Sequence, residues 1–217
     1  MSQRFVKGYK LDIGKIYAFF GSKDLTYQAL KKSNKDYFDD VERTLDEDGL
    51  SLEKLLDELS QNELISKHAY GYSRILELIL NSGKYAFDEQ INLVVTNFLN
   101  TDSGDWTEVL KDVGLDRLSE LWTTNNFAFP WKNSKTKNDW PIWTLIEMKD
   151  ADIILDEFKD FDAKKIYKAN AEFFDENDEN NQKEELIVGL NILKDWFVRV
   201  KKEGKNDMIL LQMDGDQ

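Results

Sequence analysis

The chain contains no cysteine, two prolines and a single histidine in 217 residues. Without cysteine there is no disulfide framework, no thiol nucleophile and no thiolate ligand for a metal. With one histidine besides, a zinc site would have to be assembled from carboxylates, which is not how zinc is held. Long apolar runs are also missing. No stretch approaches the ~20 consecutive apolar residues of a membrane-spanning helix. The opening residues Met1 to Gly8 lack the apolar core of a secretory signal. Together these absences predict a cytoplasmic protein, of a bacterium or a comparable cell, with no membrane association.

Catalytic signatures are scarce as well. There is no Gly-x-Gly-x-x-Gly and no Gly-x4-Gly-Lys-Ser/Thr, so nothing points to a phosphate cradle, and no cofactor is expected. No Gly-x-Ser-x-Gly elbow presents a nucleophile to His68, the one imidazole that a Ser-His-Asp arrangement would have to use. Its neighbours Tyr70, Tyr72 and Glu77 could orient it, but a lone histidine at a helix start more often serves structure than chemistry. The acidic turn from Asp175 fails as a calcium loop. Its sixth and twelfth positions hold Asn180 and Leu186, where the EF-hand needs Gly and Glu. The 42 Asp and Glu make some close carboxylate pair inevitable, so such a pair is uninformative.

What is present is apolar and aromatic material in quantity: 41% hydrophobic residues, with six Trp and thirteen Phe, enough to offset chain entropy and build a core. Charge is the other abundant feature. The net charge of −13 is unevenly spread. Residues 36–63 hold eleven acidic against two basic residues, residues 150–185 thirteen against five, and the first 35 two against eight. Two readings stand: solvated helix faces that happen to be acidic, or a binding face that steers a basic partner. Direct grip on a nucleic-acid backbone is disfavoured, because that needs clustered cations. The basic loop Lys132 to Lys137 is the lone local exception, and an ordinary exposed loop accounts for it.

Periodicity predicts a mainly α, α+β architecture: a multi-helix single domain over 1–217, with a small sheet formed by N- and C-terminal strands. Lys7 to Asp12 reads as a short strand, with Gly8-Tyr9-Lys10-Leu11 leading into Asp12 as a helix cap, and Met208 to Met213 reads as the terminal strand. Helices are expected after Asp12 and Ser22, over Tyr37–Leu45, from Ser51, over Ser66–Asn81, Asp88–Leu99, Trp106–Val113, Leu115–Trp122, Ala151–Phe161, Ala163–Phe174 and Lys183–Glu203. The last is the clearest, with Leu186, Leu190, Leu193, Phe197 and Val200 at steps of three and four, acidic residues at its start and Arg199, Lys201 and Lys202 at its end. Residues 123–141 form the longest irregular segment and carry both prolines.

The aromatics around that segment, Phe127, Phe129, Trp131, Trp140 and Trp143, are the most suggestive local feature. Exposed, they would make a hot-spot patch or a stacking pocket; buried, they pack the loop against the helices. Burial is the expectation, since large exposed aromatic patches are uncommon on monomers.

Several fragments taken in order carry a resemblance. They are Tyr9-Lys10-Leu11-Asp12, then Phe20-Gly21-Ser22-Lys23-Asp24, Tyr70-Gly71-Tyr72 opening an apolar helix, Asp139-Trp140-Pro141, and the closing helix with Trp196-Phe197 and its apolar strand. Together they resemble an uncharacterised bacterial cytoplasmic domain family of unknown function that spans nearly the whole chain. The family's aspartate-aromatic-proline element is usually followed by a glycine, which this chain lacks, having Trp143 nearby. The resemblance implies no activity and supplies no catalytic residues.

The functional expectation is a non-enzymatic protein-binding factor, immunity- or antitoxin-like, with an acidic surface that meets a basic protein. The residues assigned to binding are Asp39, Asp40, Glu42, Asp46, Glu47, Asp48, Trp131, Trp140 and Trp143. The premise is that the two acidic stretches converge on one accessible side. The alternative is a small-molecule enzyme or ligand-binding protein with a pocket near His68, Tyr70, Tyr72 and the Trp140 loop. A scaffold subunit is a third reading, and the oligomeric state stays open.

Overall fold

In a computed structural model of the chain, residues 3–18, 27–33, 35–81, 86–93, 106–122, 127, 129, 142–168, 179–205 and 207–215 are described. Four strands form one antiparallel sheet: β1 (Gln3–Leu11), β2 (Ala86–Leu93), β3 (Ile142–Glu147) and β4 (Asp207–Gly215), in the order β2-β1-β4-β3. β1 and β4 pair without interruption from Gln3↔Gly215 to Leu11↔Asp207. The expected pairing of the first and last strands is therefore the centre of the sheet, with a further strand on each side.

Successive side chains of a strand point to opposite faces, and β1 uses both. Val6 enters one apolar core, while Tyr9 and Leu11 enter another. β3 repeats the device, with Trp143 on the second side and Ile146 on the first. A sheet buried on both faces needs a helical layer on each. One layer comprises α1 (Ile13–Tyr17), α2 (Tyr27–Ser33), α3 (Lys35–Glu47), α4 (Leu52–Gln61), a 3-10 turn at Ser66–His68 and α5 (Ala69–Leu80). The other comprises α6 (Trp106–Asp112), α7 (Asp116–Trp122), α8 (Met148–Asp160), a 3-10 segment at Ala163–Lys168 and α9 (Glu179–Lys202). The mainly helical, α+β expectation holds. None of the described helices is long and apolar enough to cross a membrane.

Local chemistry explains the helix ends. Asp12 caps α1, accepting from the Gly14 amide at 3.1 Å, and Asp207 reaches across from β4 to accept from the Ile13 amide at 2.9 Å. Ser51 caps α4, which ends at Asn62 in the left-handed region (φ 59°). α9 ends at Gly204, whose φ of +64° suits a residue without Cβ. Gly8 answers a different demand. Trp196 of α9 lies against β1 at this position and stacks on Phe87 of β2, with ring centroids 5.1 Å apart and planes 6° apart. The register of β1 on β2 also shifts between Lys7 and Tyr9, around this glycine.

Two helix expectations need correction. Asp88–Leu99 was expected to be helical, yet Ala86–Leu93 is strand β2. Ile91, Val94, Val95 and Phe98 do recur at helical steps, but Phe87, Ile91 and Leu93 also alternate, and the open edge of β1 rewards the extended form. Residues 94–99 lie outside the described set. Ala163–Phe174 was expected as an α-helix, but a 3-10 segment occupies Ala163–Lys168 and the remainder falls outside the described residues, as do Gly21 and Ser22.

Candidate functional site

The first acidic stretch is carried mainly by α3, which turns Phe38, Val41 and Leu45 inward and most of its charge outward. Several of the assigned carboxylates have partners within the protein. Asp39 accepts from Lys35 and lies 3.8 Å from Lys31, and the hydrogen bond from Lys35 holds its carboxyl below the ordinary value. Asp40 and Glu47 both pair with Arg43, at 2.7 and 3.0 Å, and Glu42 accepts from the Tyr27 hydroxyl. Asp46 and Asp48 are exposed and form no ion pair among the described residues. They stand with Glu47 where α3 ends, and no basic residue occupies the last turn of that helix. α9 shows the opposite and favourable arrangement, with Arg199, Lys201 and Lys202 in its last turn.

The described acids of the second stretch lie on α8, at Asp162 just after it and at the start of α9, in the other helical layer, while Glu172, Asp175, Glu176 and Asp178 lie outside the described residues. The premise that the two stretches share one side is therefore corrected: the sheet stands between them. The second stretch is also extensively paired. Arg117 donates to Asp150 through Nε at 3.1 Å and Nη2 at 2.8 Å, and Asp152 and Asp156 accept from Lys201 and Lys159.

The aromatic cluster is divided by what is described. Trp131 and Trp140 lie outside the described residues. Phe127 and Phe129 are buried, and Trp143 is 3% exposed, so it belongs to no surface patch. Its indole nitrogen donates to Ser73 Oγ at 2.6 Å, and its ring lies 6.5 Å from that of Tyr9. These side chains fasten β3 to α5.

α5 is the axis of two polar constellations. On the flank facing α4, Glu58 Oε2 meets His68 Nδ1 at 2.9 Å and accepts from the Tyr72 hydroxyl at 2.5 Å, while that hydroxyl accepts from the Ile65 amide at 3.1 Å. Glu58 and His68 are both buried, and Glu58 Oε1 has no hydrogen-bond partner. Burial pushes the Glu58 carboxyl up, but the hydrogen bonds from Tyr72 and His68 outweigh it and leave it below its ordinary value. Tyr72 is pushed well up by burial and by its bond to that carboxylate. A neutral imidazole that donates Nδ1–H to a carboxylate carries its lone pair on Nε2, the geometry of an oriented base or ligand.

On the flank facing the sheet, Glu77 is fully buried. Its Oε2 accepts from Arg74 one turn earlier, and its Oε1 has no partner. Tyr9 donates to Asn81 Oδ1 at 3.2 Å beside it. Sequence reasoning singled out His68, Tyr70 and Tyr72, and named Glu77 only as a residue that could orient the histidine. The structure directs Glu77 instead to Arg74, and gives the histidine's carboxylate from Glu58, which was missed. A visible signal existed for Glu77: one acid inside the run Ile75 to Leu80, on a helix with no room for a solvated face.

Among the described residues no group of three or more His, Asp and Glu converges to hold a metal ion. Comparison with curated proteins and with solved structures returned no match. Residues 2–211 match a domain of unknown function, DUF7691, which covers nearly the whole chain. The chain belongs to the DUF7691 family, an uncharacterised domain family of unknown function.

Proposed function

We propose that this chain is a non-catalytic protein-binding factor of the immunity or antitoxin kind, acting in the bacterial cytoplasm, and that it engages a basic protein through the acidic end of α3. Asp46, Glu47 and Asp48 form the centre of the surface, with Asp39, Asp40 and Glu42 along the same helix. The observation that carries the reading is an inverted charge order. Carboxylates at a helix C-terminus oppose the macrodipole and each costs about 0.3–1 kcal/mol. Asp46 and Asp48 stand there exposed, with no ion pair among the described residues, so the fold gains nothing from them. Residues that weaken their own helix and remain open to solvent are suited to a cationic partner. The electrostatic surface is local, on one helical layer, rather than a field shared by both.

The test is a triple neutralisation, Asp46→Asn, Glu47→Gln and Asp48→Asn, compared with neutralisation of Asp152, Asp156 and Asp160 on α8. The α3 variant is expected to melt at the same or a higher temperature yet lose the partner captured from its host by the wild-type chain. Capture unaffected by the α3 changes and abolished by those on α8 would sink the reading.

A second reading, a ligand-binding or enzymatic role at His68, is favoured by one observation: the imidazole is held by a buried carboxylate that Tyr72 holds in turn. It predicts small polar metabolites that raise the melting temperature of the wild type but not of His68→Gln. No stabilisation by any compound of such a panel counts against it.

A further inference from the structure

The flank of α5 that faces α4 begins with an imidazole engaged at one nitrogen only. The Tyr72 hydroxyl accepts from the Ile65 amide, so its own proton goes to Glu58 Oε2. A carboxylate oxygen only accepts, and the proton in its 2.9 Å bond to His68 therefore sits on Nδ1. That leaves the free lone pair of the ring on Nε2. His68 keeps 6% of its surface exposed, and Nε2, which bonds to no described residue, is not among the polar atoms sealed from solvent. The ring is fixed from inside and open at one atom, as a nitrogen nucleophile must be.

The charges around it indicate what it meets. Residues 36–63 hold two cations against eleven acids. Arg43 is taken by Asp40 and Glu47, whereas Lys54 is exposed and forms no ion pair among the described residues. Lys54 stands one turn before Glu58 on α4, and its charge reaches that carboxylate. Glu58 would be its ordinary partner at this spacing, but Glu58 is turned inward to His68 and Tyr72. Lys67, next to His68 in the chain, is also exposed and has no ion pair among the described residues. His68 occupies the cap position of α5, whose first turn carries no acid, so the positive end of that helix lies at the same place. Two uncommitted ammoniums beside an open lone pair suit an electrophile with several anionic oxygens. A phosphoryl group is such an electrophile, and its transfer asks for positioning and charge above all.

We propose that His68 is a phosphoryl acceptor: Nε2 takes the group from a phosphoramidate-type donor, Lys54 and Lys67 supply the charge that draws it, and Glu58 steadies the ring. The step rests on the ligand-binding or enzymatic role of His68. The Nε2 lone pair forms a new P–N bond as the P–N bond of the donor breaks. The leaving nitrogen, already protonated, departs with the bonding pair as a neutral amine. The positive charge left on the ring is met by Glu58, toward which the Nδ1 proton moves. Glu58 and Tyr72 are positioning residues.

The experiment uses the fact that the chain has a single histidine. The full chain is treated with potassium phosphoramidate in mildly alkaline buffer, beside N-acetylhistidine, and the adduct is followed by intact mass and phosphorus NMR. The wild type is expected to gain one phosphoryl group, stable to base and lost in acid, faster than N-acetylhistidine although its ring is nearly buried. His68→Gln is expected to gain none. Glu58→Gln, with its fold checked by urea unfolding, is expected to react ~10–100-fold more slowly, the usual loss when the partner that orients a histidine is removed. Glu58→Asp should recover part of the rate. Lys54→Gln combined with Lys67→Gln should slow the reaction several-fold and blunt its dependence on salt. A wild-type rate at or below that of N-acetylhistidine, an equal adduct in His68→Gln, or a rate indifferent to Glu58→Gln or to the lysine pair would each overturn the proposal. The first two comparisons decide it even if Glu58→Gln does not fold. A metabolite without phosphorus that stabilises the wild type but not His68→Gln, with no adduct formed, would overturn the phosphoryl step and leave ligand binding at His68 standing.

Discussion

Replacing Gly8 by alanine separates this structure from any in which β1 has an open face. A Cβ built on Gly8 would lie 2.5 and 2.7 Å from Cε3 and Cζ3 of Trp196 and 2.8 Å from Cδ2 of Phe87. Carbon atoms in contact prefer about 3.5–4.0 Å, so the three must separate by roughly 1 Å. The indole has little freedom to retreat: Trp196 is fully buried and stacked on Phe87. Overpacking of this kind costs about 1–3 kcal/mol. With free space, the same substitution would stabilise by about 0.4–1 kcal/mol, because glycine loses more chain entropy on folding. The two cases differ in sign. Urea unfolding followed by far-ultraviolet circular dichroism measures the difference as a displaced midpoint at constant slope. A second background sharpens the test. Trp196→Leu removes one of the two rings that meet the new methyl group and the surface on which the other, Phe87, is stacked, so although that change is itself costly, adding Gly8→Ala to it should cost clearly less than in the wild type. If Gly8→Ala stabilises the wild type, or costs the same in both backgrounds, the packing of α9 on β1 has been misread.

Two further substitutions probe polar ties at other seams. Tyr72→Phe removes the donor to Glu58 Oε2 and the acceptor for the Ile65 amide. It should cost about 1–3 kcal/mol in urea unfolding, the usual cost of leaving buried partners unmet. Asp207→Ala takes from α1 the cap that β4 supplies. A loss of about 1 kcal/mol is expected, seen as a melting temperature lower by about 2–4 °C for a chain of this size; an unchanged melting point would mean that the cap contributes nothing.

Helices with long apolar stripes and conventional ends could be read from the sequence. α9, α4 and α5 appeared close to their expected positions because periodicity and capping agreed with burial. The pairing of β1 with β4 was legible only as a guess, since nothing local connects residues so far apart. β2 was misread because its apolar residues satisfy both periods, and the choice was made by β1, a tertiary partner that no window of sequence contains. The same limit applied to the sites. Net charge is additive and visible, but which side of a sheet each acidic stretch takes depends on topology, and so the two stretches were wrongly expected together. Glu58 was passed over because its spacing suits an ordinary outward charge on α4, and only the chain's return through His68 and Tyr72 turns it into a buried acceptor.

The union of β1 and β4 at the middle of the sheet also bears on the order of assembly. Gln3 meets Gly215, so this seam closes over almost the full contour of the polypeptide. Contacts so remote in sequence slow folding, because the entropy of closing the loop is lost before any of them forms. The layer from α1 to α5 is contiguous and can gather its apolar residues early, while β1 waits with an unpaired margin of amides and carbonyls. During synthesis that margin stays open until the final strand has left the ribosome, and in this interval the chain is most vulnerable to pairing with a stranger.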